Sequence, residues 1–175
     1  FYTNSDTETI IHLYEEKGID CVKDLRGMFA FAIWDENKQK LFLARDRFGK
    51  KPLNYVIKNN SLIFASEIKA ILQDPIIEKK INLISLDNYF SYQYIPNPNT
   101  IFEDIKTLPP AHILIYENGN IKIEKYWDLY YTPKIKISEK ECMEKIHSLL
   151  KESIALRLRS DVELGVFLSG GIDSS

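Results

Sequence analysis

The feature that most restricts how this chain can fold is its final stretch. Val162-Glu163-Leu164-Gly165-Val166-Phe167-Leu168 runs directly into Ser169-Gly170-Gly171-Ile172-Asp173-Ser174-Ser175. An apolar run with polar flanks predicts a buried parallel strand. A strand that enters Ser-Gly-Gly at a helix start is a phosphate cradle. Glycines let the backbone turn sharply and approach an anion, while the free amides and positive end of the helix face it. Ser169, Ser174 and Ser175 can add hydroxyl donors, and Asp173 is placed to hold a magnesium ion on the phosphates. There is no Gly-Lys-Ser/Thr ending, so this is not the common P-loop. The structural alternative is a strand, a glycine turn and a serine-capped surface helix, which Ser-Gly-Gly alone would favour. The whole string behind a buried strand favours the nucleotide loop. Because the chain stops where that helix should begin, and opens on Phe1-Tyr2 without an initiator Met, it reads as part of a longer one.

Composition narrows the class without choosing a function. A hydrophobic content of 45% in 175 residues supports a real core and argues against disorder. The formal net charge of -2 gives no electrostatic reason to expect a nucleic-acid or membrane partner. Cys21 and Cys142 lie far apart with no CxxC or metal spacing, which fits a reducing, cytoplasmic setting better than a disulfide scaffold. No apolar run has the length of a membrane span, and no signal peptide is visible.

Along the chain, Ser5-Asp6-Thr7-Glu8 matches a capping box, and Ile10, Ile11, Leu13 and Tyr14 give the helical face behind it. Residues 27–35 are apolar on both faces and predict a central strand. A turn at 35–38 and a return strand at 40–45 make a hairpin. Residues 45–52 form a charged turn in which Gly49 can take a positive φ. Residues 53–58 and 61–65 predict a hairpin across Asn59-Asn60, residues 66–72 a capped helix, and residues 82–94 a helix stopped by Pro96 and Pro98. A last hairpin at 111–127 turns over Glu117-Asn118-Gly119-Asn120. The pattern breaks at 128–137. Ser138-Glu139-Lys140-Glu141 is then a second capping box, opening a long amphipathic helix with Cys142, Ile146, Leu149, Leu150, Ile154 and Leu158 on one side. A helix, a strand and a phosphate loop open an α/β nucleotide domain.

Several other residues read as structural. His12, His112 and His147 have no converging spacing and suit surface or packing roles better than metal binding. Arg45-Asp46-Arg47 could grip a phosphate, but a pair bracing a turn is the stronger reading. The aromatic cluster Tyr89, Phe90, Tyr92 and Tyr94 has no basic stripe around it, so helix packing is preferred to base stacking. Lys134 and Lys136, alternating with Ile135 and Ile137, read as solvated linker.

Taken together, Ser5-Asp6-Thr7-Glu8, the stretch LRGMFAFAIWD at 25–35, LFLARDRFGKKP at 41–52, FASEIKA at 64–70 and LRLRSDVELGVFLSGGIDSS at 156–175 resemble the glutamine-hydrolysing asparagine synthetases of the B type. The final loop is similar to the SGGxDS pyrophosphate loop of the ATP pyrophosphatases. The resemblance implies a four-layer αββα N-terminal-nucleophile (class II) glutaminase sandwich at 1–127, lacking its N-terminal part. It further implies a linker at 128–137 and, at 138–175, the first helix, strand and loop of a Rossmann-like ATP pyrophosphatase domain. The implied reaction passes ammonia from glutamine to an aspartyl-AMP intermediate and yields asparagine, AMP, pyrophosphate and glutamate. ATP and Mg2+ are the implied cofactors, and glutamine, aspartate and ATP the small-molecule partners. The oligomeric state stays open, a homodimer among the options. Related synthetases with another acceptor (β-lactam-forming, peptide-cyclising or polysaccharide-modifying) and a non-catalytic relic are the alternatives.

On individual residues, the resemblance makes Asp6 the group that holds the α-amino group of glutamine. Its structural alternative is a carboxylate favoured in the first helical turn by the helix dipole. Phe167, Leu168, Ser169, Gly170, Gly171, Asp173, Ser174 and Ser175 become the ATP site, with Asp173 the magnesium ligand. Phe167 meets the adenine in this reading and is plain core in the other. The nucleophilic cysteine, its oxyanion hole and the carboxylate grip are implied upstream of Phe1, so the chain by itself is expected to be inactive, and neither Cys21 nor Cys142 fills that role. Two departures stand out: Asn54 where the family often has Tyr, and Glu163 where it has Pro.

Overall fold

A computed structural model describes residues 1–172. Asp173, Ser174 and Ser175, which include the expected magnesium ligand, lie outside the described residues. The chain divides into a unit Phe1–Leu129 and a second unit that begins at Tyr130.

Ser5 caps α1 (Asp6–Lys17), its hydroxyl accepting from the Thr7 amide at 3.2 Å. The expected return bond from Glu8 to Ser5 is not made. Glu8 reaches further back, to the amides of Tyr2 and Thr3 at 2.5 and 2.7 Å, because Thr3 offers a hydroxyl there as well. A 3-10 helix, Gly18–Lys23, follows. Among the described residues, seven strands then form two antiparallel sheets. The first has four strands in the order β1-β2-β6-β7: β1 (Ala30–Asp35), β2 (Lys40–Arg45), β6 (His112–Glu117) and β7 (Asn120–Lys125). The second has the order β4-β3-β5: β3 (Asn54–Lys58), β4 (Ser61–Ala65) and β5 (Lys106–Thr107). The expected hairpin turns form with left-handed residues at Asn59 and Asn60 and at Asn118 and Gly119, which suits the twist of the strands they join.

Strict alternation along the strands sorts side chains into three cores and so builds the layers. Phe42 and Ala44 of β2, with Ile113 of β6, face Cys21 and Val22 of the 3-10 helix and Leu13 and Tyr14 of α1. Leu43 and Leu114, one residue on, face the other way and meet Leu53, Tyr55 and Leu108 between the sheets. Val56 and the half-buried Ile63 of the second sheet turn outward to Ile71 of α2 (Ile68–Ile71), with Ile77 and Ile105. The order is helix, sheet, sheet, helix: the αββα sandwich. Each fully buried side chain such as Phe42 or Leu114 contributes roughly 1.5–3 kcal/mol. A surface ion pair such as Lys40 with Glu117 contributes about 0–1. The cores therefore carry the fold.

The expected cap of residues 66–72 is not made, since α2 starts behind Glu67 with no side-chain cap hydrogen bond, and three further expectations are corrected. Residues 27–35 do not make a central strand. β1 starts at Ala30 and lies at the sheet edge, with Trp34 half exposed, because only its β2 side is paired. The α3 helix (Leu83–Tyr92) forms under an Asn82 cap, but Tyr89, Phe90, Tyr92 and Tyr94 stand exposed and touch one another rather than a core. In the second unit, α4 (Glu139–Arg157) has the reciprocal Ser138–Glu141 capping box. The expected strand at 162–168 does not form, and its residues are exposed. A parallel strand needs neighbours for its amides and carbonyls, and none pairs with it among the described residues.

The sandwich closes on a buried charged node. Arg45, at the end of β2, donates from Nη1 to the Leu108 carbonyl at 2.6 Å, from Nη2 to the Gly49 carbonyl and from Nε to the Lys51 carbonyl. Asp46, 1% exposed, accepts from the amides of Phe48, Lys50 and Lys51 at 3.0–3.1 Å. Its backbone amide donates to the Phe29 carbonyl, and its carbonyl accepts from the Ala111 amide. The Tyr126 hydroxyl, its pKa pushed up to about 12 by burial, donates to the Arg45 carbonyl. The Arg-Asp pair does brace the turn, through backbone groups.

Gly49 sits inside this node at φ +63, where an added Cβ would stand 2.8 Å from Pro110 Cγ and 3.1 Å from Arg45 Cζ. Gly49→Ala should therefore cost about 1–3 kcal/mol, from left-handed strain and the contact with Pro110. In urea titrations the midpoint should fall with the slope unchanged. A loss below about 0.5 kcal/mol would show that the turn is not tightly held.

Candidate functional site

Asp6 is the first residue of α1, and Ser5 does the capping, so the carboxylate is not used as a helix cap. Asp6 is exposed, and no hydrogen bond or ion pair engages its carboxylate among the described residues. It stands where two clefts meet. One, about 310 Å³, lies between α1 and residues 24–29 and is bordered by Ile10, Asp24, Arg26, Met28 and Phe29. The other, about 300 Å³, shares Ile10, Met28 and Phe29 with the first and is bordered in addition by Lys51, Pro52 and Ser66. A carboxylate with an apolar floor and cations on either rim suits a small zwitterion whose ammonium meets Asp6.

The walls are held by distinct contacts. Lys17 Nζ binds Asp24 Oδ2 at 2.9 Å, fixing the start of the 24–29 segment to the end of α1. Phe29 is tied to the charged node by its carbonyl, and Lys51 by its amide. Asn54, which departs from the family pattern, is buried and useful there. Its amide donates to the Ser66 carbonyl at 2.8 Å, and its carbonyl oxygen accepts from Thr107 at 2.7 Å. Ile10 could have been found by its helical spacing from Asp6. Met28, Lys51 and Ser66 could not, since nothing local in the sequence says that their segments converge.

Glu8 lies two residues along. The Thr3 hydroxyl and the Tyr2 and Thr3 amides hold its carboxyl down at about 2. His12 lies 3.3 Å from Glu8 and 3.0 Å from Glu15, which raise its pKa. Cys21 is fully buried, and desolvation pushes its thiol up to about 11, so it is protonated and unreactive at neutral pH. His112 Nδ1 lies 2.7 Å from the Pro110 carbonyl. Among the described residues no cluster of His, Cys, Asp and Glu could hold a metal ion, and no helix is long and apolar enough to cross a membrane.

The other expected site residues belong to the second unit. Phe167 is fully exposed and Leu168 largely so within that unit. Gly170 has φ +73, with nothing within 4 Å of where a Cβ would stand. Ser169 and Gly171 flank it.

Residues 1–127 match the glutamine amidotransferase domain family, and residues 145–175 match the asparagine synthase family. The chain is 41% identical to asparagine synthetase [glutamine-hydrolyzing] 3 of Bacillus subtilis, over all of this chain and 28% of that protein. It is 40% identical to amidase chry2 of Gibberella zeae, over all of this chain and 26% of that protein. The chain thus spans about a quarter of the length of these curated relatives. Among solved structures it is similar to the glutamine phosphoribosylpyrophosphate amidotransferase of B. subtilis. That likeness has a TM-score of 0.49 and 21% identity, over 73% of this chain and 24% of that one.

The Glu8 tether gives a pH prediction. A carboxyl depressed on folding adds stability that is complete above its unfolded value of 4.5 and is lost as the pH falls through about 2. The Glu8 carboxyl should titrate near 2 by NMR, and Glu8→Gln should leave the chain less stable at pH 7 while narrowing the difference near pH 2. A Glu8 midpoint at 4.5 would show that the tether to Tyr2 and Thr3 does not form in solution.

Proposed function

The chain belongs to the glutamine amidotransferase domain family, and from that premise we propose that it binds glutamine in the Asp6 cleft and that the complete protein uses the released ammonia to make asparagine from aspartate. One observation carries this reading: Asp6 is a carboxylate free of capping duty at the meeting of two clefts. Its part is to hold the α-ammonium of glutamine by charge-assisted hydrogen bonds. Ile10, Met28 and Phe29 suit the methylene stem, and they limit the water around it. Neither Cys21 nor Cys142 takes part in this proposal. The name of the B. subtilis relative supports aspartate as acceptor. The equally complete match to an amidase supports a second reading, in which the same donor half serves another acceptor.

We assign residues 1–127 to the glutamine-using domain, 128–137 to a linker and 138–175 to the opening of an ATP-using domain. The open, left-handed backbone at Gly170 fits close approach by a phosphate. Ser169, Gly170 and Gly171 would hold the nucleotide phosphates through amides and hydroxyl, helped by Ser174 and Ser175, with Phe167 and Leu168 towards the base. Asp173 is the proposed magnesium ligand. Bound ATP supplies the leaving group that activates the acceptor carboxylate. Glutamine, aspartate and ATP are the proposed small-molecule partners, in the cytoplasm, and a homodimer is compatible with the reading.

A charge-assisted hydrogen bond is worth about 1.5–3 kcal/mol, so Asp6→Asn in the complete protein should raise the KM for glutamine roughly tenfold to a hundredfold. Ammonia-dependent synthesis bypasses the cleft and should persist. Steady-state assays with each nitrogen source make the comparison. Equal loss of both activities would make Asp6 a structural residue of α1 and end the ligand reading.

A further inference from the structure

Trp127 closes the first sheet's last hairpin, and its ring is held by two residues of the charged turn. Phe48 meets it edge-on with centroids 5.4 Å apart, and the Arg47 guanidinium lies 5.6 Å from its centroid. The same guanidinium donates from Nη2 to the Lys23 carbonyl at 3.0 Å. Lys23 is the last residue of the 3-10 helix, and the chain passes from it directly into residues 24–29, which wall the Asp6 cleft. Arg47 thus joins the end of the sandwich to the start of a cleft wall. Its Nε is buried without a hydrogen-bond partner among the described residues. A guanidinium that merely covered the surface would turn that group to water, since an unmet buried donor is costly. Reaching the indole face and the Lys23 carbonyl together fixes the orientation that leaves Nε unmet.

We propose that Arg47 is a positioning residue for the Asp6 cleft: stacked on Trp127, it holds the Lys23 carbonyl and thereby sets the wall at 24–29. The wall's occupant rests on the glutamine reading above, whereas the positioning does not. Trp127 is also the last residue before the proposed linker, so the cleft wall is braced by the residue at which the chain leaves the first domain. Arg47 touches neither Asp6 nor the cleft itself; it acts through the Lys23 backbone.

The test is a double-mutant cycle on Arg47→Met and Trp127→Leu, read by hydrogen exchange at the Asp24 amide and by glutamine kinetics in the complete protein. Each single variant should speed exchange at the Asp24 amide, which donates to the Cys21 carbonyl, by about tenfold, and the double variant should add little, because both remove one brace. KM for glutamine should rise several-fold with kcat held within about twofold. Trp127→Phe, which keeps a ring for the guanidinium, should restore most of the protection. Unchanged exchange at the Asp24 amide in Arg47→Met, or additive effects of the two variants, would overturn the proposal. Faster exchange with an unaltered KM would uphold the brace and count against glutamine in the cleft.

Discussion

Everything in the first unit depends on how the chain buries one arginine and one aspartate side by side at the end of β2. A buried charge is tolerable only when its donors or acceptors are met. Arg45 meets its own with three carbonyls and Asp46 with three amides, all but one of them in the turn that follows or at its far end. The exception is the Leu108 carbonyl, which brings the approach to β6 onto the same point. Burial draws the Arg45 pKa down, while the neighbouring Asp46 charge opposes that shift. Removing either side chain would leave its three backbone partners unmet, at about 1–3 kcal/mol for each that stays buried. The node is therefore a strong local constraint in a fold whose exposed ion pairs are each worth little.

Its reach explains the cleft. The Asp46 amide holds the Phe29 carbonyl and the Asp46 carboxylate holds the Lys51 amide. Phe29 and Lys51 stand on the walls around Asp6. Segments that are distant in sequence are thus set against α1 by one buried aspartate, through its backbone amide on one side and its carboxylate on the other. Arg47 and Phe48, from the same turn, then clasp Trp127. A turn that reads as simple surface charge is where strand, cleft and domain end are joined.

Much of this was legible from local chemistry. The hairpins over Asn59-Asn60 and Asn118-Gly119 follow from residues that accept a left-handed backbone, and alternation along β2, β3 and β6 predicts which side chains share a core. The capping box at Ser138 and Glu141 formed as written, while that at Ser5 lost its Glu8 to better donors at Tyr2 and Thr3. What failed is non-local. An apolar run cannot say whether it will sit in the centre of a sheet or, like β1, at its edge. The run at 162–168 is strand-like in composition, yet a parallel strand exists only with partners. Asp6 was visible through its motif. Met28, Lys51 and Ser66 were not, because their convergence is a property of the node rather than of their own neighbourhoods.

The central claim is that Asp46 fixes both walls of the Asp6 cleft, and hydrogen exchange in Asp46→Ala tests it most directly. With the carboxylate gone, the amides of Phe48, Lys50 and Lys51 lose their acceptor and should exchange faster. If the node sets both walls, the backbone amide at position 46, which donates to the Phe29 carbonyl on the other side of the cleft, should lose protection as well. Faster exchange confined to residues 47–52, with the amide at position 46 as protected as in the unsubstituted chain, would contradict the account.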